Sequence, residues 1–317
     1  MPVNASSSSH HLKGDQAMTR KTALITGANG RFGRHAARAF AAAGWHVHRF
    51  DRRTGDLTRA AADADVVVMG MHPPTYDLWD TQLLPLHRMT IDAARTHDIP
   101  VIVPGSVYGF GPGAGPVFGP GAPMRATNPL GRLRREMEAL YRDSGVRTIM
   151  LYMGDFIDDR ASGNWFDRFI ARDVWKGRIA YPGPVDTEHA WCWLPDAARI
   201  AVALAERDDL ARFEQVPVPG HTLTGRDLAG ALSRVTGHTV RAGRFPWWQL
   251  QLARPFLPVL RGVFEMRYLW SLPHRLDPAP LGRLLPGFVP TPLDAALAEA
   301  IHPLRPETRA AGRSAAA

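Results

Sequence analysis

Thr22-Ala-Leu-Ile-Thr-Gly-Ala-Asn-Gly-Arg-Phe-Gly33 is the stretch whose reading decides the fold. The apolar run Ala23-Leu24-Ile25 leads into glycines 27, 30 and 33, and an alanine-rich helical run, Arg34 to Ala43, follows. Strand, tight turn and helix start come in the order that a dinucleotide-binding βα unit requires. Gly27 lets the chain leave the strand sharply. Gly30 keeps side-chain bulk away from an approaching pyrophosphate, and Gly33 lets the helix sit close on the strand. Asn29, Arg31 and Phe32 fill the turn between the glycines, so they join Gly27, Gly30 and Gly33 as expected cofactor contacts. The helix start adds free N–H groups and a partial positive charge.

Working outward, His46-Val-His-Arg-Phe-Asp51 reads as a second strand ending in an acid twenty-four residues after Gly27. An acid there hydrogen-bonds the hydroxyls of an adenosine ribose. Arg52 and Arg53 follow directly and could hold a 2′-phosphate, so the cofactor is expected to be NAD or NADP, with NAD preferred. The span between Asp51 and Asp65 is too short for a full helix and strand, which predicts one abbreviated βα unit. Asp65 to Met71 is a continuous apolar run of the kind buried in parallel sheets. A long amphipathic helix over Thr75 to Thr96 and a strand over Ile99 to Val103 come next. Gly105 to Pro129 is dense in glycine and proline and predicts a long functional loop. A helix over Leu130 to Ser144 and a strand over Arg147 to Met153 complete the pattern. These alternations predict an α/β protein: a Rossmann-type doubly wound parallel sheet with a smaller mixed α/β C-terminal substrate region.

Beyond Gly154, helices are expected over Asn164 to Trp175, Pro195 to Glu206, Gly225 to Thr236 and up to Ile301, with strands at Trp191 to Leu194 and Val216 to Val218. Pro246 to Leu272 reads as a helical run packed on the rest, with covering the site as the other reading. The domain expectation is a leader at 1–20 and an NAD(P)-binding domain at 21–155, with 182–215 returning to it. A substrate region at 156–181 and 216–302 and a loose tail at 303–317 complete it.

The chain has 317 residues and 45% hydrophobic content, ordinary for a globular protein. Its net charge of +8 rests on arginine, since Lys13, Lys21 and Lys176 are the only lysines. The arginines are scattered among acids and not gathered with aromatics, so no nucleic-acid partner is expected. Cys192 is the single cysteine, which excludes an internal disulfide and suits a cytoplasmic setting. No run of about eighteen apolar residues exists, so no membrane partner is expected. The histidines show no metal spacing, and no metal is expected.

Further motifs resemble those of the extended short-chain dehydrogenase/reductases of the NAD-dependent epimerase/dehydratase type. Asp56-Leu57 resembles the family's adenine-contacting Gly-Asp-Leu, Ser106-Val-Tyr-Gly109 its Val-Tyr-Gly, and Trp193-Leu-Pro-Asp-Ala-Ala198 its Val-Asp-Asp-Val-Ala element. The resemblance spans about residues 20 to 302 and implies a dinucleotide in the N-terminal domain, a small-molecule substrate against the C-terminal region, and a homodimer. It also implies a Ser/Tyr/Lys trio, in which a lysine ammonium favours the phenolate of an acid/base tyrosine and holds the nicotinamide ribose. The chain departs here. Leu130 falls at the tyrosine position, Arg134 at the lysine and Pro104 at the serine.

The remaining candidates are residues near the implied reaction centre. Arg134 retains a cation for the ribose, and His72, after a strand end, lines the cofactor pocket. Tyr108 is the surrogate acid/base and Ser106 a substrate hydrogen-bonding group. Arg125 could meet an anionic substrate, and Asp155 stands beyond a strand C-terminus, where open sheets bind ligands. The functional expectation is an NAD(P)-binding oxidoreductase or epimerase/dehydratase-like enzyme with non-standard catalytic groups. The other readings are a catalytically silent NAD(P)-binding sensor and a structural protein.

Overall fold

The computed structural model describes residues 20–53 and 55–306. The expected leader, apart from Arg20, and the tail beyond 306 lie outside the described residues. β1 (Thr22–Thr26) runs into α1 (Arg31–Ala42), and β2 (His46–Phe50) returns beside β1 in parallel. Only the four-residue α2 (Leu57–Ala60) fits before β3 (Val66–Met69), as the short spacing requires. α3 (Trp79–His97) leads to β4 (Val101–Ser106). The glycine- and proline-rich loop holds one short strand, β5 (Val117–Phe118), before α4 (Pro129–Ser144) and β6 (Thr148–Met153).

β7 (Asp155–Ile157) leaves the main sheet, and β8 (Arg178–Tyr181) and β9 (His189–Trp193) follow in smaller sheets. α5 (Leu194–Ala205) packs on α1, and β10 (Phe213–Pro217) returns to the edge of the main sheet beside β6. The sheet has six strands, all parallel, in the order β10-β6-β4-β3-β1-β2. Chain order reverses beside β1, so the switch point, where such sheets bind ligands, falls at the glycine turn.

Two cores flank this sheet. α1 and α5 close one face over Ala36, Phe40, Ile200 and Leu204. α3 and α4 close the other over Leu83, Ile91, Met137 and Tyr141. With both faces covered, the central strands are uniformly apolar, as in the wholly buried Val66 to Met69.

The C-terminal region has its own core of Phe166, Tyr181, Trp191, Leu228 and Leu297. It is built by β11 (His221–Leu223), α6 (Gly225–Thr236), β12 (Arg241–Arg244), α7 (Trp247–Ala253), α8 (Val259–Glu265), β13 (Arg275–Leu276), α9 (Ala279–Leu284) and α10 (Leu293–Ile301). Three sequence expectations change here. The expected helix over 164–175 is a π turn (Phe166–Ile170) and a 3-10 turn (Val174–Lys176). Asp167 folds the preceding loop onto itself by accepting the N–H groups of Ser162 and Gly163, and the Ala171 N–H bonds Phe166 five residues back. The helical run from Pro246 is cut at Pro255 and Pro258, where a helix interior would lose a donor and clash. The strands β8, β11, β12 and β13 are two to four residues long, too short to show alternation. Among the described residues, no helix is long and apolar enough to cross a membrane.

Candidate functional site

The glycine turn is fixed by sterics. Gly27 has φ +62°, a left-handed conformation that side chains disfavour, and its N-terminal neighbour Thr26 locks the strand ends together. The Thr26 hydroxyl donates to the Val68 carbonyl at 3.1 Å and accepts the Gly70 N–H at 3.0 Å. A Cβ on Gly33 would overlap the Gly27 carbonyl, so α1 can lie this close only with glycine there. Gly30 is the N-cap of α1 and offers no side chain to the helix's first N–H groups. Asn29, Gly30 and Arg31 are exposed, while Phe32 is buried in the core beneath. Arg31 reaches across to the carbonyls of Ser162 and Gly163 at 3.2 and 3.0 Å, which brings the segment after β7 to the mouth of the turn. With no acid in the first turn of α1, the helix end suits a phosphate anion.

Beyond β2, Asp51 is exposed and accepts Arg53 Nη2 at 2.7 Å. Bonds from the Arg53 side chain and backbone hold the Asp51 carboxyl at a pKa of about 2. Arg52 is exposed beside it. Asp56 is the N-cap of α2, accepting the Thr58 N–H at 2.9 Å, and Leu57 is buried in the core.

At the other end of the sheet edge, side chains from several segments converge. The Tyr76 and Tyr108 hydroxyls bond each other at 2.7 Å, and the Tyr108 ring stacks on Trp79 at 6.0 Å between centroids. Arg134 lies over the Trp79 ring at 4.5 Å and bonds His72 Nε2 at 2.8 Å. Because Arg134 can only donate, His72 Nε2 must be the acceptor, and Nδ1 then donates to the Pro73 carbonyl at 2.8 Å. The residue as a whole is exposed, yet both ring nitrogens are engaged and its ring packs on Trp79. Loss of water around the ring, then the Arg134 charge, lowers the His72 pKa to about 3. Among the described residues Arg134 has no carboxylate partner, and its Nε is buried without a hydrogen bond. Burial lowers its pKa to about 10, so it remains a cation at neutral pH.

Tyr108 is not poised as a phenolate. Burial, then the neighbouring Tyr76 and Asp155, raise its pKa well above the ordinary value. Burial raises Tyr76 as well. Ser106 is half-buried, its hydroxyl accepting the Tyr108 N–H at 3.4 Å. Asp155 shares a small cavity of about 10 Å³ with Tyr76, Tyr108, Trp165, Val263 and Met266. Its carboxylate bonds His189 Nε2 at 2.7 Å, and His189 stacks on Trp270 at 4.2 Å. Behind them His274 is wholly buried, and burial, then His189, lowers its pKa to about 4. Arg125 stays apart on the loop, exposed, its backbone tied to Phe110.

The structure therefore brings His72, Tyr108, Arg134 and Asp155 into one region. Leu130, at the family's tyrosine position, is buried in the core and unable to take that role. Sequence reasoning missed Tyr76, Trp79, His189 and His274. Tyr76 carried a usable signal: it is one of only six tyrosines and lies just past the C-terminus of β3. His35, Asp158 and Asp159 also cluster, but Arg34 bonds both carboxylates and Arg38 bonds Asp159, so cations already fill the cluster.

Solved structures share this architecture. A nucleoside-diphosphate-sugar epimerase from Pseudomonas aeruginosa superposes with a TM-score of 0.65 at 19% identity, covering 89% of this chain and 96% of its own. A UDP-glucuronic acid 4-epimerase from Bacillus cereus, in complex with UDP-glucuronic acid and NAD, gives 0.66 at 14%, covering 89% and 98%. TunA, an NAD-dependent NDP-hexosamine 5,6-dehydratase involved in tunicamycin biosynthesis, gives 0.64 at 16%, covering 89% and 97%. The chain has the nucleotide-sugar epimerase and dehydratase fold. At these identities the epimerase likeness is one of fold. No family model matches the sequence, and no curated protein does.

Proposed function

We propose that the chain is an NAD(P)-binding oxidoreductase or epimerase/dehydratase-like enzyme acting on a small molecule, with catalytic groups unlike those of its fold relatives. The observation that carries this reading is the glycine turn at the switch point, whose helix N-terminus has no side-chain cap and is exposed at Gly30 and Arg31. Gly27, Asn29, Gly30, Arg31 and Gly33 line the phosphate site, Phe32 supports it from the core, and Asp51 takes the adenosine ribose with Arg52 beside it. Asp56 and Leu57 shape the adenine side as cap and core. Arg134 and His72 hold the nicotinamide ribose, Arg134 through donors that no carboxylate occupies. A nicotinamide bound there supplies a hydride acceptor or donor.

On the substrate side, Tyr108 with Tyr76 is the proton-handling pair, and Asp155 is the base nearest it. Asp155 is held by His189 Nε2 at 2.7 Å, whereas both tyrosines hold their protons firmly. The residues thus favour Asp155 as proton acceptor and the tyrosines as donors. Ser106 braces Tyr108, and Arg125 is the outer cation for an anionic substrate. The UDP-sugars bound by the epimerase-fold neighbours are the first substrates to try. A homodimer in the cytoplasm is the accompanying proposal.

The raised tyrosine pKa values also support a second reading, a silent NAD(P)-binding sensor. Thermal denaturation with millimolar dinucleotide tests what the two readings share. NAD is expected to raise the melting temperature, and more than NADP. Asp51→Asn should narrow that preference by about tenfold in affinity, the loss of one charged hydrogen bond. No stabilisation by either dinucleotide would sink both readings. Interconversion of a UDP-sugar that Asp155→Asn abolishes would separate the enzyme from the sensor.

A further inference from the structure

The segment joining α7 to α8 is unlike the rest of the surface. Trp248, Leu252 and Phe256 are 65%, 68% and 82% exposed, and Leu257 is exposed beside them. Trp248 and Leu252 stand one turn apart on α7, hence on one face, and the chain continues to Phe256 in the same rhythm. The opposite face of α7 is anchored. Trp247 packs on Phe245 and Phe264 at 5.0 and 5.5 Å, and its indole N–H donates to the Pro182 carbonyl at 2.8 Å. The apolar face is therefore held outward by a rigid base and is not a frayed end.

Charge on this segment has one sign. From residue 239 to residue 264 the sequence contains Arg241, Arg244, Arg254 and Arg261 and no aspartate or glutamate. None of these four arginines has a carboxylate partner among the described residues. Arg254 and Arg261, with Gln251, Pro255 and Pro258, line an open cavity of about 290 Å³ in the same segment. Projecting tryptophan, phenylalanine and leucine with unpaired arginines at their base match an anionic bilayer surface: rings enter the headgroup–acyl boundary and guanidinium groups meet lipid phosphates.

We propose that the α7–α8 segment docks the protein on anionic lipid bilayers, with Trp248, Leu252, Phe256 and Leu257 inserted and Arg254 and Arg261 on the phosphates. This departs from the expectation that no membrane partner exists, which rested on the lack of a spanning run; docking on a surface needs no such run. A second copy of the chain fits less well, because an isologous contact would set these unpaired arginines against one another.

Co-sedimentation of the full chain with vesicles tests the proposal. Phosphatidylcholine vesicles containing about a third phosphatidylglycerol should carry the protein down, and pure phosphatidylcholine should not. Trp248→Ser/Phe256→Ser should lower the partition coefficient by at least about tenfold, from the lost apolar burial. Arg254→Gln/Arg261→Gln should lower it roughly thirtyfold on anionic vesicles. All the substituted side chains are exposed, so unchanged melting temperatures confirm that each variant is folded. A folded wild-type monomer that stays in the supernatant overturns the proposal. So does a solution dimer that Trp248→Ser/Phe256→Ser dissociates, which would give the face to a second copy. Neither result bears on dinucleotide binding, so this proposal and the proposed function fail separately.

Discussion

At the Gly27–Gly33 end of the sheet edge, the features that matter are backbone: a positive φ, a helix sitting where only glycine fits, and uncapped N–H groups. At the Tyr76–Tyr108 end they are side chains, delivered by the loop after β3, the loop after β4, helix α4, strand β7 and strand β9. The first end is local in sequence and leaves no room for a side chain at Gly27 or Gly33. The second is assembled across more than a hundred residues from the side chains of five segments. A backbone-built site is fixed by sterics within its own segment, whereas a side-chain site can change its chemistry while the fold stands.

Three measurements would break or sharpen that contrast. The largest effect is expected at the backbone end. Gly33→Ala must push its methyl into the Gly27 carbonyl, so it should cost roughly 3 kcal/mol in urea unfolding and abolish stabilisation by dinucleotide. A Gly33→Ala protein of near wild-type stability that still responds to NAD would remove the steric argument.

Acid should act on the other end. The folded His274 pKa is about 4, below its ordinary value of 6.5, so the unfolded chain binds the extra proton first. The stability this group contributes is present above pH 6.5 and lost as pH falls toward 4, amounting to about 3 kcal/mol. The difference between wild type and His274→Phe, measured at neutral pH and near the lower limit, isolates it. Asp51, with a pKa of about 2, stays ionised over the same window. An equal pH slope in wild type and His274→Phe would contradict the burial argument.

The smallest effect belongs to the tyrosine pair. Tyr76→Phe or Tyr108→Phe alone leaves a buried hydroxyl without its partner and should cost about 1–2 kcal/mol. The double variant should cost less than the sum, with a coupling near 1 kcal/mol in a double-mutant cycle. Strict additivity would mean that the two hydroxyls do not depend on each other.

The main sheet was legible because each strand is a buried apolar run and each turn carries its own chemistry. Asp65 to Met71 and Arg147 to Met153 needed no partner to be read as central strands. Helix α1 begins three residues earlier than expected, at Arg31, because Gly30 serves as its N-cap. The C-terminal region was less legible, since β8 and β12 exist only by pairing with each other across about sixty residues. Of the candidate site, Arg134 and Asp155 were picked out by their place after known motifs and strand ends. His189 and His274 were not, because each lies within or beside a short strand whose neighbours are unremarkable. Tyr108 was singled out from its motif, but its partner Tyr76 and the upward shift of its pKa depend on burial that no local pattern encodes.

Glu265, the last residue of α8, accepts the Leu130 N–H at 2.6 Å and the Asn128 side-chain amide at 2.7 Å. It therefore supplies the N-terminal cap of α4 from another element, while its neighbours Val263 and Met266 wall the cavity at Asp155. A cavity of about 10 Å³ holds little more than one water, so the small-molecule substrate proposed for Asp155 would need α8 to move away. Moving it strips the carboxylate from the start of the helix that carries Arg134. A cap of this kind favours the closed arrangement by about 1 kcal/mol, roughly fivefold. On the proposed function, this cap would act as a latch, and a ligand at Asp155 would bind with its intrinsic affinity scaled down by the fraction of molecules standing open.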